Sequence, residues 1–236
     1  MVLLTNDDGI DAPGLAALAR LAEVRYGAEN VWIVAPAAEN SQVGHRVTTG
    51  ESLKIQRLGH QRIAVHGTPA DCTRLALSQL LPQQPDLVIS GINFGGNLGR
   101  HDFVISGTVA AAREAAFHGI ESIAFSNFHR SGVDFSWEKS AEMTVSALDF
   151  IGGEKATHPG EFWIVNMPHL KPGAPDPPKI KMAHQEDQPL ELAFKAIEGD
   201  PDSFLYTGRY HERPASGGSD VAVCFGGDIA VSRVWI

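Results

Sequence analysis

The stretch Val2-Leu3-Leu4-Thr5-Asn6-Asp7-Asp8-Gly9, continued by Ile10-Asp11-Ala12-Pro13-Gly14, decides how this chain folds. Val2, Leu3 and Leu4 make a short apolar strand. Asn, Asp and Gly then stop it, because they bond or bend their own backbone. Pro13 suits the first turn of a helix, where no intrahelical N–H is needed. Leu15, Leu18, Ala19 and Ala22 recur after it at helical spacing. The unit is strand, polar turn, helix.

The unit repeats. Val31-Trp32-Ile33-Val34 reads as a strand apolar on both faces, as a parallel sheet covered by helices requires. Leu53 to Val65 alternates around Gly59-His60 and predicts a hairpin. Thr68-Pro69 opens a helix towards Leu80. Leu87-Val88-Ile89 is the next strand, followed by a glycine-rich loop, and a helix starts at Ser106 or Thr108 and runs to His118. Ile123-Ala124-Phe125 and Trp163-Ile164-Val165 are further strands, separated by a helix from Ser136 to Phe150. Buried strands alternating with helices predict a doubly wound, largely parallel α/β sheet of the Rossmann type. The pattern changes after Pro168. Residues 171–178 carry four prolines, and the extended stretches Lys179–Met182, Phe204–Tyr210 and Ile229–Val231 stand apart. We expect an α/β core over residues 1–170 that carries the site, and a β-rich appendage with an extended hairpin over 171–236 in the same domain.

A chain of 236 residues holds one large domain comfortably and two only tightly. A net charge of −9 argues against long nucleic acid as a partner. It does not exclude a small anionic substrate, since a bound divalent ion reverses the sign of one pocket. Cys72 and Cys224 are the only cysteines, too few for a disulfide framework or a zinc ligand set. The N-terminus turns acidic within a few residues, and no run approaches the ~20 apolar residues of a membrane span. A cytoplasmic protein with no membrane partner is expected.

Four polar loops follow apolar strands: Asn6 to Gly9, Ala35 to Ser41, Gly67 to Asp71, and Ser90 to Gly99. Loops at the carboxyl ends of parallel strands converge on one edge, where ligands bind. Asp7 and Asp8 repel each other unless a positive group sits beside them. As hard oxygen ligands they suit magnesium, manganese or calcium. Alternatively, Asn6 to Gly9 is an Asx turn with one aspartate capping the helix at Pro13. In the loop after Ile89, glycines allow close approach of an anion and Asn93 and Asn97 offer amide groups. Ser106-Gly107-Thr108 opens a helix whose free N–H groups favour phosphate. No zinc helix, G-x-S-x-G elbow or phosphate loop with its lysine is present.

These motifs resemble the SurE family of 5′/3′-nucleotidases. The matching stretches are Leu3 to Ile10 with Ala12-Pro13-Gly14; Val34-Ala35-Pro36 leading to Ser41; Gly67-Thr68-Pro69 with Asp71-Cys72; Ser90-Gly91-Ile92-Asn93 with Asn97-Leu98-Gly99; and Ser106 to Ala112. The resemblance implies one divalent ion, magnesium or manganese, held by Asp7, Asp8, Ser41 and Asn93. It implies a phosphate pocket at Asn97 and Ser106, to which the helix start adds Gly107 and Thr108. Asp7, Asp8, Asn97 and Ser106 are then the catalytic set for hydrolysis of a nucleoside monophosphate. A homodimer or homotetramer built partly by a C-terminal arm over residues 193–222 is also implied. The chain departs from the family at Gln42, where a small residue is usual, and in a link from Gly99 to Ser106 that is one residue longer. The non-enzymatic alternative is a metal-organised module that binds a nucleotide without turning it over.

Overall fold

The structure is a computed structural model describing residues 1–236. Strand β1 (Val2–Thr5) is buried on both faces and leads through α1 (Pro13–Tyr26) to β2 (Val31–Pro36). Pro13 sits at the start of α1, as its missing N–H allows. The antiparallel hairpin of β3 (Lys54–Arg57) and β4 (Arg62–His66) comes next, with β4 parallel to β2. Helix α2 (Pro69–Leu75) begins at a capping box between Thr68 and Asp71 and carries the chain back across β1 to β5 (Leu87–Phe94). Then come α3 (Gly99–Ile105), α4 (Gly107–Phe117), β6 (Glu121–Asn127), α5 (Trp137–Ile151) and β7 (Glu161–Met167). The remaining elements are β8 (Ile180–Met182), the hairpin of β9 (Phe194–Ile197) and β10 (Asp200–Tyr206), α6 (Asp220–Phe225) and β11 (Ile229–Trp235).

The main sheet has nine strands in the order β3-β4-β2-β1-β5-β6-β7-β11-β8. From β4 to β7 every neighbouring pair is parallel. The chain winds from β1 towards β4, then crosses to β5 and winds the other way. The switch point lies between β1 and β5, where Leu4 is level with Ile89 and Thr5 with Ser90. Side chains alternate across the sheet. Val2 and Leu4 join α1 and α5 in one core, while Leu3 joins Cys72 of α2 and Ala115 of α4 in a second on the other face.

Three features differ from the sequence expectation. Strand β5 does not stop at Ile89 but runs to Phe94, with a register shift between Ser90 and Asn93 against β6. The residues expected as loop thereby gain ladder partners. Residues 99–105, with no helical signal, form α3. Lastly, the sheet is not completed by residue 170: β11 pairs antiparallel with β7 along its length, and β8 lies outside β11. Strand β7 is buried at every position, so its free edge had to be covered by another strand. Only β9–β10 forms a separate sheet, and its Phe194, Phe204 and Leu205 are exposed.

The switch point is tight because α1 lies directly on β5. A Cβ on Gly14 would stand 2.1 Å from the Ile92 carbonyl oxygen and 2.8 Å from Trp137. Backbone cannot yield as a surface side chain does. Gly14→Ala is therefore expected to cost at least about 1–3 kcal/mol of stability by overpacking. Gly59→Ala, with nothing within 4 Å, should leave the urea midpoint unchanged. Equal midpoints for the two variants would refute the contact.

Candidate functional site

Asn6 closes the turn after β1 by itself. Its Nδ2 donates to the Gly9 carbonyl at 2.8 Å and its Oδ1 accepts from the Gly9 N–H at 3.2 Å. No side chain caps α1. Neither aspartate is used as a turn or a cap, and both line a cavity of about 660 Å³ at the carboxyl ends of β1 and β5. That volume lies within the usual range for small-molecule sites. Ser41, Asn93, Asn97 and Ser106 line the same cavity, together with Glu39, Gln42, Phe94, Asp102, Trp137 and Tyr210.

Asp7 is buried, and its Oδ1 accepts from the Thr108 hydroxyl. Burial, reinforced by the charge of Asp8 and opposed by the Thr108 bond, pushes its carboxyl up to about 6. Burial also raises Asp8, despite the Phe94 N–H donating to its Oδ2 at 3.3 Å, and Glu39 raises it further. No lysine, arginine or histidine lines the cavity. Asp102 has a counter-charge in Arg213, but no basic side chain pairs with Asp7, Asp8 or Glu39. Uncompensated carboxylates facing a shared cavity are the donor chemistry a hard divalent cation needs.

The neutral oxygens fit the same purpose. The Asn93 Nδ2 donates to the Gly95 carbonyl at 2.8 Å, which orients the amide and leaves its oxygen free. Ser41 is exposed, and its hydroxyl donates to Glu39 Oε1 at 2.6 Å. No three acidic, histidine or cysteine side chains converge at metal-binding spacing. A cation here would draw on the two aspartates plus neutral oxygens.

The expected phosphate residues divide. Ser106 caps α4, its Oγ accepting from the Val109 N–H at 3.1 Å, so its own proton is free to donate into the cavity. Asn97 is buried and held by Ser126 and Asn166, at 2.6 Å and 2.8 Å. Gly107 and Thr108 stand behind the cavity wall and do not line it. The Thr108 hydroxyl is engaged by Asp7, and a Cβ on Gly107 would lie 2.8 Å from the Asp7 Cβ. Both contacts let α4 close on Asp7 and fix it.

Several residues of the site carried no sequence signal. Asp102, to which no role was assigned, accepts two bonds from the buried Arg213, at 2.7 Å and 3.1 Å, and one from the Tyr210 hydroxyl at 2.8 Å. The Gly96 carbonyl, 2.9 Å from the same hydroxyl, shares its one proton with Asp102. The chain beyond residue 200 is thereby locked onto the glycine-rich loop. His45 anchors the loop of Ser41 from its far end: Nδ1 accepts from Arg113 at 2.8 Å and Nε2 meets the buried Glu114 at 2.7 Å. Gln42 adopts φ +56°, a conformation that favours glycine. Only Glu39 was within reach of sequence reasoning, two residues before Ser41 on the same loop.

Known proteins share this fold and much of its sequence. The family model described as "Survival protein SurE" matches residues 2–191. A Nostoc sp. protein named provisionally as a 5′-nucleotidase is 43% identical over 233 residues, covering 99% of this chain and 98% of its own. The 5′-nucleotidase SurE of Geotalea uraniireducens is 51% identical over 170 residues, covering 72% of this chain and 66% of its own. The crystal structure of the SurE protein from Aquifex aeolicus superposes with a TM-score of 0.84 at 32% identity, over 99% of this chain and 92% of that one. Family model, relatives and fold agree across nearly the whole length: this chain belongs to the SurE family.

Proposed function

We propose that this chain is a 5′-nucleotidase, hydrolysing nucleoside monophosphates with a divalent cation, magnesium or manganese, at Asp7, Asp8, Asn93 and Ser41. One observation carries the metal-dependent part of this reading. The cavity gathers uncompensated carboxylates and phosphate-binding donors but no basic side chain. Such a site repels phosphate unless a cation joins the two. The relatives named 5′-nucleotidase SurE support the activity.

When bound, the cation supplies polarisation of a phosphate oxygen and acidification of water. The protein's residues do the rest. Thr108 and the Phe94 N–H hold the two aspartates in place, and either aspartate can take the proton of the attacking water. Ser106 donates to a phosphate oxygen from a fixed helix cap, and Asn97 adds its amide from a rigid bed. Donors that need no reorganisation stabilise the charge that develops on the phosphoryl group. Release of inorganic phosphate from a nucleoside monophosphate with added manganese tests the reading. Tight binding without release would leave the non-catalytic module.

The exposed hairpin β9–β10 supports an assembly of two or four copies. A two-stranded hairpin with Phe194, Phe204 and Leu205 in water is marginal alone. Exchange of such an arm between subunits covers it at little cost.

Asp7→Asn and Asp8→Asn should each abolish phosphate release while far-UV circular dichroism stays native; full activity in either at saturating metal would sink the ligand assignment. The raised Asp7 also sets a pH dependence. Between its ordinary value of 3.8 and about 6, the metal-free folded protein holds a proton that the unfolded chain releases. Its contribution therefore lowers metal-free stability as pH rises through that window, and a cation offsets this above it. The rise in Tm on adding manganese should be larger at pH 7.5 than at pH 5, and an equal rise would contradict it. Ser106→Ala should lower kcat roughly 100-fold with metal affinity little changed, and lose about 1 kcal/mol of stability from the cap. Metal titration beside steady-state kinetics separates these, and weakened metal binding with normal turnover would reverse the roles. Light scattering at low micromolar concentration should return twice or four times the 25.3 kDa chain mass, and a clean monomer would refute the assembly.

A further inference from the structure

We propose that the ring of Phe94 is the face on which this site stacks the base of its nucleotide, and that Phe94 sets the preference for nucleotides over phosphate esters of non-planar alcohols. The inference rests on the nucleotidase reading of the same cavity.

Phe94 is the last residue of β5, directly after Asn93, and its backbone N–H donates to Asp8 at 3.3 Å. Its side chain therefore springs from the edge of the acid pair. The residue is 49% exposed although it lines the cavity. Open apolar surface of this size beside a polar floor is unfavourable in the empty site and is recovered when a planar apolar surface covers it.

The ring is open but not loose. Phe135 meets it edge-on, with centroids 4.9 Å apart and planes at 80°. Trp137 lies 5.9 Å away and His129 4.6 Å away, both tilted. Trp137 is in turn wedged against α1 at Gly14. The supporting rings all come from residues 129–137, a segment distant in sequence from β5, and Phe94 among them remains part of the cavity wall. A fixed aromatic ring stacks a base with little loss of side-chain freedom.

The arrangement matches the order of parts in a nucleoside monophosphate. Asn97 and Ser106 offer donors for the phosphate, and Phe94, bonded through its N–H to Asp8, lines the same cavity. A macromolecule seated on Phe94 would also cover the aspartates it adjoins, so a small planar group is the occupant that leaves the site usable. Stacking is tolerant of base identity because every base has a π face, and it grows with ring area. Purine nucleotides should depend on Phe94 more than pyrimidine nucleotides.

The test compares wild type, Phe94→Ala and Phe94→Tyr. Hydrolysis of adenosine 5′-monophosphate, uridine 5′-monophosphate and glycerol 3-phosphate is measured with manganese, and calorimetry measures binding of adenosine and of inorganic phosphate. In Phe94→Ala, the ratio of KM for adenosine 5′-monophosphate to KM for glycerol 3-phosphate should rise about 10-fold. The rise should be smaller for the uridine nucleotide, and Phe94→Tyr should restore the ratio. Adenosine affinity should fall by a similar factor while phosphate affinity holds, which also shows that the variant is folded. A loss shared equally by all substrates, or unchanged adenosine affinity in Phe94→Ala, would overturn the proposal. If wild type releases no phosphate from nucleotides, the nucleotidase reading fails on its own. The adenosine arm then decides alone: affinity that depends on Phe94 upholds the stacking face, and affinity that is absent or independent of Phe94 removes it.

Discussion

Parallel pairing of β1 to both β2 and β5 is the interaction on which the rest of the molecule depends. It places a strand buried on both faces at the point where the winding of the sheet reverses. No crossover helix covers the carboxyl end of such a strand, so the loop leaving it meets open space. In this chain that loop is Asn6-Asp7-Asp8-Gly9. The Asn6 turn uses the backbone groups of the loop, which leaves both carboxylates for the cavity. The same pairing brings β5 alongside, and with it Asn93 and Phe94.

The electrostatics stem from that placement. Two adjacent carboxylates at a buried strand end are costly, and the structure relieves this only in part. A hydroxyl and a backbone N–H hold them, but no cation of the protein neutralises them. Burial therefore keeps a proton on Asp7 to an unusually high pH. Asp102, a few residues beyond Asn97, shows the opposite solution. It is bound by Arg213 in two-pronged fashion and by Tyr210, and serves to hold the chain together. Of two kinds of acid lining one cavity, the paired one is structural and the unpaired ones are available for chemistry.

Close approach without side chains is the second requirement. Gly14 lets α1 rest on β5, and Gly107 lets α4 rest on Asp7. These contacts bring a helix start, a diacid loop and an asparagine strand within one cavity. The second contact also brings the Thr108 hydroxyl onto Asp7. A helix start favours anions in general, and here the nearest anion is a side chain of the protein.

The alternation of apolar strands and helices, the polar loops at strand ends, and the residues Asp7, Asp8, Asn93, Asn97 and Ser106 in one cavity were legible in the sequence, whereas Ser41 entered only through the family resemblance. Each rests on local signals: period, turn chemistry, capping, and the rule that parallel strands present their carboxyl ends together. The insertion of β11 beside β7 was not legible, because a strand near the C-terminus carries no local sign of which edge it will cover. The Asp102–Arg213 pair, the His45–Glu114 anchor and the rings of Phe135 and Trp137 around Phe94 were equally hidden. Each joins residues some forty to more than a hundred positions apart, through distances that only the packed sheet and helices set. By itself the sequence determined which groups could do chemistry and which strand ends would carry them. Only the tertiary structure decided which charges find partners and which remain free. Local pattern governs where the backbone turns, whereas pairing between remote side chains depends on how every element between them has packed.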